Sequence, residues 1–348
     1  MDTQILQATQ ENIQIAGNAL KNGLLVGLPT ETVYGLAANA LNPNAVANIF
    51  IAKGRPSNNP LIVHIADLED LEKYCNVNED ALKIANAFWP GPLTILLPKK
   101  SIIPDVVNAG LDTVAIRMPS SIVARDIIRA SGCPIAAPSA NISGKPSPTT
   151  ALHVYHDFAG KIPYIVDGGD AHVGLESTVL HMTKKPYTIL RPGGITLEQI
   201  QSIFPETIVS DKIFAPVQRG EVAESPGMMY KHYAPNAKLI LLKGSAHNIA
   251  KYYTKQKQIV NNSTVKIICF EENANLYPEN ERIILGKESN LSQSAQNLFA
   301  VLRALDEQDV QTVFCETSSI QGIGMAIMNR LLRAAAFCIV DTDEQAKL

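Results

Sequence analysis

Four polar clusters stand out from an otherwise apolar chain. The first is Pro29-Thr30-Glu31-Thr32-Val33-Tyr34-Gly35-Leu36, where an apolar run gives way to two hydroxyls, a carboxylate and a phenol before an expected helix. Two readings stand: a strand-end turn that brings hydroxyls and backbone N–H groups to a ligand, or a helix start capped by Thr30 or Thr32 with Glu31 in its first turn. The second cluster is Lys53-Gly54-Arg55-Pro56, followed by Asn58-Asn59-Pro60 and His64. Its two cations flank a glycine and are followed by rigid prolines, which suits either a preorganised phosphate-binding loop or a solvated surface loop. The third, Asp112-Thr113-Val114-Ala115-Ile116-Arg117-Met118-Pro119, alternates so that Arg117 projects from one face of a strand and calls for an anionic partner. The fourth is Pro138-Ser139-Ala140-Asn141-Ile142-Ser143-Gly144-Lys145 with Ser147, and behind it come Ser177-Thr178-Val179 and Arg191-Pro192-Gly193.

None of these clusters joins a credible nucleophile to an adjacent general base. Hydroxyls, amides and cations at strand ends suit a site that positions anions and polar substrates and acts electrostatically. There is no G-x-x-x-x-G-K-[ST] run and no G-x-S-x-G elbow. Gly322-Ile-Gly324 lacks the third glycine of a dinucleotide fingerprint, so a tight strand-to-helix turn is expected there. His153 and His156 have no ligands at metal spacing and are expected to be exposed on a helix.

Hydrophobic periodicity indicates the elements that must carry these clusters. Helices are expected over 11–21, 44–53 (capped by Asn42 or Asn44), 67–74, 79–88 and 122–130, with strands over 24–28, 61–65, 93–98, 114–117, 134–137, 164–167, 178–181 and 187–190. Without a strict βαβ repeat, this interleaving favours an α/β or α+β mixed sheet. Residues 215–235 have no periodicity and read as a linker. Beyond it, strands at 238–242, 265–270 and 312–316 and helices at 292–307 and 325–337 form a smaller α/β domain. The divisions are therefore 1–212, a linker over 213–237, and 238–348.

The sequence of 348 residues is 46% hydrophobic and 18% charged, with a net charge of −3, a globular composition that argues against bulk polyanion binding. Five cysteines with no C-x-x-C pair read as buried thiols of a reducing compartment. The polar, acidic start is unlike a signal peptide, and no apolar run reaches membrane-span length, so a cytoplasmic protein is expected.

In this order the blocks resemble the YrdC-like threonylcarbamoyl-AMP synthase family: PTETVYGL at 29–36, KGRP at 53–56, HI at 64–65, AIRMP at 115–119, APSAN at 137–141 with SG at 143–144, ESTV at 176–179 and RPG at 191–193. The run SPGMMYKHYAP at 225–235 resembles the linker of the family's long form, which carries an extra C-terminal domain. The resemblance implies a twisted mixed sheet around a concave cavity, plus a Rossmann-like C-terminal domain. It also implies a two-stage reaction: threonine captures CO2 from bicarbonate as a carbamate, which then attacks the α-phosphate of ATP and releases pyrophosphate. A tRNA threonylcarbamoyl transferase complex would pass the product to an adenosine next to the anticodon; whether this chain itself touches tRNA stays open. Lys53 and Arg55, with Mg2+, would supply catalytic positive charge. Arg55, Asn59, Thr113, Ser139, Ser147, Arg191 and Tyr233 would contact ATP, while Thr32, His64, Arg117, Ala137 and Ser177 would surround threonine.

Two other functions compete. A non-catalytic RNA-binding module would also use Lys53, Arg55 and Arg117, but an aromatic content of 6% and the negative net charge count against it. Carbamoyl-phosphate-using relatives in hydrogenase maturation are far larger. In the linker, Tyr230, His232 and Tyr233 either fold over the cavity as a lid that excludes water or belong to a tether on the domain surface. Truncation near Ala215 separates the two. A lid predicts lost synthesis or faster loss of the adenylate, whereas a tether predicts full activity.

Overall fold

A computed structural model describes residues 2–215, 233–259 and 264–345. Tyr230 and His232 lie outside them. The described chain divides into two compact units. The first comprises residues 2–143 and 147–213. The second comprises 233–259 and 264–345, with the short stretches 144–146 and 214–215.

In the first unit the strands are β1 (Gln4–Gln7), β2 (Val26–Leu28), β3 (Gly35–Asn39), β4 (Ile62–His64), β5 (Leu93–Pro98) and β6 (Thr113–Arg117). They continue with β7 (Ile135–Ala136), β8 (Tyr164–Asp167), β9 (Thr178–His181), β10 (Thr188–Arg191) and β11 (Ile208–Val209). All join one mixed sheet in the order β1-β8-β2-β3-β7-β4-β6-β5-β9-β10-β11. At its centre β4 and β6 are parallel, β6 and β5 antiparallel, and β5 and β9 parallel.

Alternation along these strands separates two environments. Val63, Val114, Ile116, Leu93, Ile95, Leu97 and Leu180 enter the large core. The opposite parity supplies a small apolar patch of Ile62, Ala115, Leu96, Val179 and Leu190, and on the same strand faces stand His64 and Arg117, which pair across β4 and β6. Nearer β2 and β3, this side of the sheet is covered by helices Gln10–Lys21 and Ile122–Ser131, whose Ile13, Leu20, Ala124 and Ile127 share a cluster with Val26, Leu28, Ala37 and Ile135. The helices approach closely at Gly17, where a Cβ would lie 2.6 Å from that of Ala130. That cover stops short of β4, β6, β5 and β9, which carry the polar residues.

Local chemistry fixes the ends of these elements. Thr9, Asn42, Asn78 and Ser121 cap the helices Gln10–Lys21, Pro43–Lys53, Glu79–Phe88 and Ile122–Ser131 through their side-chain oxygens. Residues 67–74, expected as one helix, divide into a 3-10 turn at Leu68–Asp70 and a short helix at Leu71–Tyr74. The larger correction concerns the chain after Tyr34, which continues as β3 rather than a helix and pairs antiparallel with β2. Thr30 caps no helix: its hydroxyl donates to Val33 O at 2.6 Å and accepts from the amides of Thr32 and Val33, both at 3.3 Å. This local turn reverses the chain into a strand.

The second unit has β12 (Lys238–Lys243), β13 (Val265–Phe270), β14 (Arg282–Gly286), β15 (Thr312–Glu316) and β16 (Ile339–Asp341) in the order β14-β13-β15-β12-β16. Every neighbouring pair is parallel, as expected of a Rossmann-like α/β unit. Gly322 precedes the helix Ile323–Ala334 with φ 55°, and a Cβ on Gly324 would lie 2.1 Å from Ser319 O, so this glycine pair forms a tight turn into the helix. The five cysteines are free thiols; Cys75, Cys269 and Cys315 are buried as expected, Cys133 is half-buried, and Cys338 is exposed. Among the described residues no helix is long and apolar enough to cross a membrane.

One glycine bears directly on the site. A Cβ on Gly193 would lie 2.3 Å from both Glu176 O and Thr178 N, so the turn after β10 packs on the segment around Ser177 that leads into β9. Gly193→Ala is expected to lower stability by roughly 1–3 kcal/mol through overpacking, read as a lower urea midpoint; an unchanged midpoint would mean that the two loops separate freely.

Candidate functional site

The site is built where the polar face meets the loops that follow β2, β4, β6 and β7. Arg117, the last residue of β6, is almost fully buried and uses all three guanidinium nitrogens. Nε donates to Gly91 O at 3.2 Å and Nη1 to Thr32 Oγ1 at 2.9 Å, while Nη2 lies 2.7 Å from Glu31 Oε1 in a buried ion pair. Thr32 is in turn 2.8 Å from Thr30 through their hydroxyls. The strand register sets His64 beside Arg117, and no partner for His64 Nδ1 exists among the described residues.

Electrostatics follow from this burial. Desolvation and the neighbouring Arg117 charge push the His64 pKa down to about 3, so its imidazole is neutral at physiological pH. For Glu31 burial alone would raise the pKa, but the Arg117 charge prevails and the net shift is downward. Neither Glu31 oxygen closes a well-formed hydrogen bond, although the Ser120 amide and the guanidinium are close enough to favour the charged form.

A second group forms around Ser177. Its hydroxyl is 2.7 Å from Thr94 Oγ1, and Arg191 holds it through Nη2 to Oγ at 3.2 Å and through Nη2 and Nε to its carbonyl at 2.9 and 3.1 Å. The register shifts between Ile189 and Arg191, and this bulge aligns Arg191 with Val179. Ser147, fully buried, donates to Glu176 Oε1 at 2.5 Å. Thr94 and Glu176 were absent from the expected site set. Thr94 is marked in the sequence only as the single hydroxyl in the apolar run Leu93–Pro98, and Glu176 only as the first residue of ESTV.

The third group is the KGRP loop. Lys53 ends the helix Pro43–Lys53, Gly54 turns the chain at φ 61°, and Arg55 N returns to Phe50 O at 2.9 Å. Lys53 and Arg55 are both buried, which rules out a solvated surface loop. Lys53 Nζ donates to Ser139 O at 2.5 Å and to Asn141 O, and Lys53 O accepts from Ser143 N at 2.9 Å. Ser139 Oγ donates to Asn141 Oδ1 at 2.6 Å. Arg55 Nη2 donates to the carbonyls of Asn59 and Pro60 at 3.4 and 3.1 Å. Ala137 N donates to Ile62 O at 3.0 Å, beneath this loop, and Thr113 begins β6, its carbonyl taking Asn108 Nδ2 at 2.9 Å.

Tyr34 locks the first cluster in place. Its hydroxyl donates to Gly169 O at 2.8 Å and accepts from Gly168 N at 3.3 Å, while its backbone N–H donates to Pro148 O and its carbonyl accepts from Ala140 N, both at 2.8 Å. Three separate stretches of sequence thereby meet at one turn. Tyr233, by contrast, belongs to the second unit, where it is buried with its ring 5.2 Å from that of Phe299 and the Arg330 guanidinium 5.8 Å from its centroid. His156 is exposed on the helix Ala151–Phe158 and His153 is half-buried against Thr149.

The His64 shift predicts a pH effect. An unfolded histidine titrates near 6.5 and the folded one near 3, so between these values the unfolded chain binds more protons and stability falls with acidity. Above pH of about 6.5 His64 contributes no such penalty. The urea midpoint of the parent protein should therefore drop from pH 7 to pH 5, and His64→Asn should flatten that drop; an equal slope in the variant would contradict the buried neutral imidazole.

Comparison with known proteins accords with this geometry. Residues 18–193 match the Sua5–YciO–YrdC family model, described as "Telomere recombination", and residues 195–336 match the model "Threonylcarbamoyl-AMP synthase, C-terminal domain". The threonylcarbamoyl-AMP synthase of Pyrococcus abyssi is 44% identical over 94% of this chain and 95% of its own. That of Bacillus subtilis is 45% identical over 96% of this chain and 95% of its own. The crystal structure of P. abyssi Sua5 complexed with L-threonine superposes with a TM-score of 0.91 at 42% identity, covering 98% of this chain and 99% of that one. A catalytic-type sheet with its polar face, followed by the parallel second unit, thus matches along nearly the whole chain, which belongs to the Sua5/YrdC family of threonylcarbamoyl-AMP synthases, enzymes of the nucleotidyltransferase type.

Proposed function

We propose that this chain makes L-threonylcarbamoyl-AMP from L-threonine, bicarbonate and ATP in the cytoplasm, and that a tRNA threonylcarbamoyl transferase complex uses the product to modify an adenosine next to the anticodon. The observation that carries the proposal is the buried polar face on which Thr32, His64, Arg117 and Ser177 gather beside the Lys53–Ser139 loop. Such a surface positions a small zwitterion next to a polyanion and supplies no covalent nucleophile of its own.

In the proposed reaction the threonine nitrogen attacks the carbon of CO2 and loses a proton, giving a carbamate. A carbamate oxygen then attacks the α-phosphorus, the bond from that phosphorus to the bridging oxygen breaks, and pyrophosphate leaves with the electron pair. Thr32, His64, Arg117, Ala137 and Ser177 hold threonine. Arg55, Asn59, Thr113, Ser139, Ser147 and Arg191 hold ATP. Arg55 contributes charge against the phosphates. Lys53 acts by holding the Ser139–Asn141 backbone in position as well as by its charge.

Mg2+ is proposed to arrive with ATP. Among the described residues no group of three or more His, Cys, Asp or Glu converges. The carboxylates at the site, Glu31 and Glu176, already face Arg117 and Ser147, so phosphate oxygens and water would hold the ion.

Purified chain given ATP, Mg2+, bicarbonate and labelled threonine should release pyrophosphate and form a threonine-containing adenylate, and omission of threonine or bicarbonate should abolish both. Folded protein that shows no turnover and binds neither ATP nor threonine would favour the RNA-binding alternative, which tRNA titrations at varied salt would then examine. Arg117→Lys keeps the charge but loses the planar fork. It is expected to weaken threonine binding by roughly 10–100-fold, the range of a charge-assisted hydrogen bond, measured by calorimetry; unchanged affinity would remove Arg117 from the carboxylate site.

A further inference from the structure

Glu31 has no role in the binding scheme above, yet it is buried to 1% side-chain exposure against an Arg117 side chain at 4%. Among the described residues Glu31 Oε1 and Arg117 Nη2 meet only each other, in the 2.7 Å ion pair, while Glu31 Oε2 and the neighbouring His64 Nδ1 close no well-formed hydrogen bond. Burying a carboxylate is costly unless its lone pairs are satisfied, and a buried ion pair whose carboxylate is under-satisfied asks for a further partner. The charge on each member decides what that partner must be. An anion alone would satisfy Arg117 and leave Glu31 as an uncompensated buried charge. A cation alone would do the reverse. A zwitterion complements both: its carboxylate accepts from the guanidinium, its ammonium donates to the carboxylate, and one ion pair is exchanged for two with no charge stranded.

We propose that Glu31 is the ammonium-binding residue of the amino-acid site, so that the Arg117–Glu31 pair selects free α-amino acids over hydroxy acids and over amines. This rests on the threonine reading of the site. The adjacent groups fit such an occupant: the Thr32 hydroxyl already contacts Arg117 Nη1, and the neutral His64 ring offers an uncharged polar atom that competes with neither charge.

The test is calorimetric titration of the full chain with L-threonine, with 3-hydroxybutyrate, which lacks the amino group, and with 1-amino-2-propanol, which lacks the carboxylate. The parent protein should prefer threonine to each analogue by about 100-fold, the combined effect expected when a buried charge loses its partner. Glu31→Gln should reduce the preference for threonine over 3-hydroxybutyrate by at least about tenfold, whereas Glu31→Asp, which keeps the charge, should retain part of it. A structural clamp on Arg117 would instead weaken both ligands in parallel and leave their ratio unchanged, and that result would overturn the proposal. So would a parent protein that binds 3-hydroxybutyrate as tightly as threonine, or an Asp variant as indiscriminate as Gln. The parent measurement decides the matter even if Glu31→Gln does not fold. Parent protein that binds none of the three ligands would overturn the threonine reading itself, and the proposal with it.

Discussion

A side chain on a β-strand can point only to one side of the sheet or the other, and the central strands of the first unit use both. Val63, Val114, Ile116 and Ile95 commit one side to the core, which leaves His64, Arg117 and Thr94 no alternative but the other. A register slip of one residue in β6 would bury Ile116 among the polar groups and drive a guanidinium into apolar packing, so the hydrophobic core specifies the polar site as firmly as it stabilises the fold. The helices Gln10–Lys21 and Ile122–Ser131 cover part of the polar-side face and stop before the strands that bear the charges.

The loops are held with equal strictness, by polar rather than apolar contacts. Lys53 ties the helix end to the backbone of the Ser139 loop, Arg191 grips Ser177, and Tyr34 bridges to Gly168 and Gly169. Hydrogen bonds among buried groups strengthen where water is excluded and are expensive to break singly. The loops therefore arrive preorganised, and binding free energy need not be spent on ordering them.

Much of this was legible in the residues. The alternation in Thr113–Arg117 foretold that Arg117 projects from one face of its strand, whereas KGRP left a fixed loop and a solvated one equally open. What sequence could not convey was closure at a distance: that Glu31 meets Arg117, that Thr94 reaches Ser177 across two strands, or that Ser147 finds Glu176. Local propensity misled at Gly35–Asn39, because Leu36-Ala37-Ala38 favours a helix intrinsically while burial on both faces and pairing with β2 make it a strand. The edge strand Gln4–Gln7 and the helix Ala246–Ile259 escaped notice for the opposite reason: the strand is only four residues long and the helix is rich in polar residues, and each is held by a neighbouring element rather than by a strong pattern of its own. Residues 238–345 were readable as a fold and say little about chemistry.

The bulge in β10 makes the site depend on counting as well as on composition. Because one extra residue sits between Ile189 and Arg191, the normal two-sided alternation is reset just before the guanidinium. Were the bulge to close with the chain length unchanged, Leu190 alone would pair with Val179 and Arg191 would fall opposite Thr178, on the other side of the sheet, with every side-chain type unchanged. The connection between His181 and Thr188 lies outside this pairing and can change length without that consequence. Two stretches a few residues apart thus differ sharply: pairing within β10 decides which side of the sheet Arg191 faces, whereas the length of the connection before it does not.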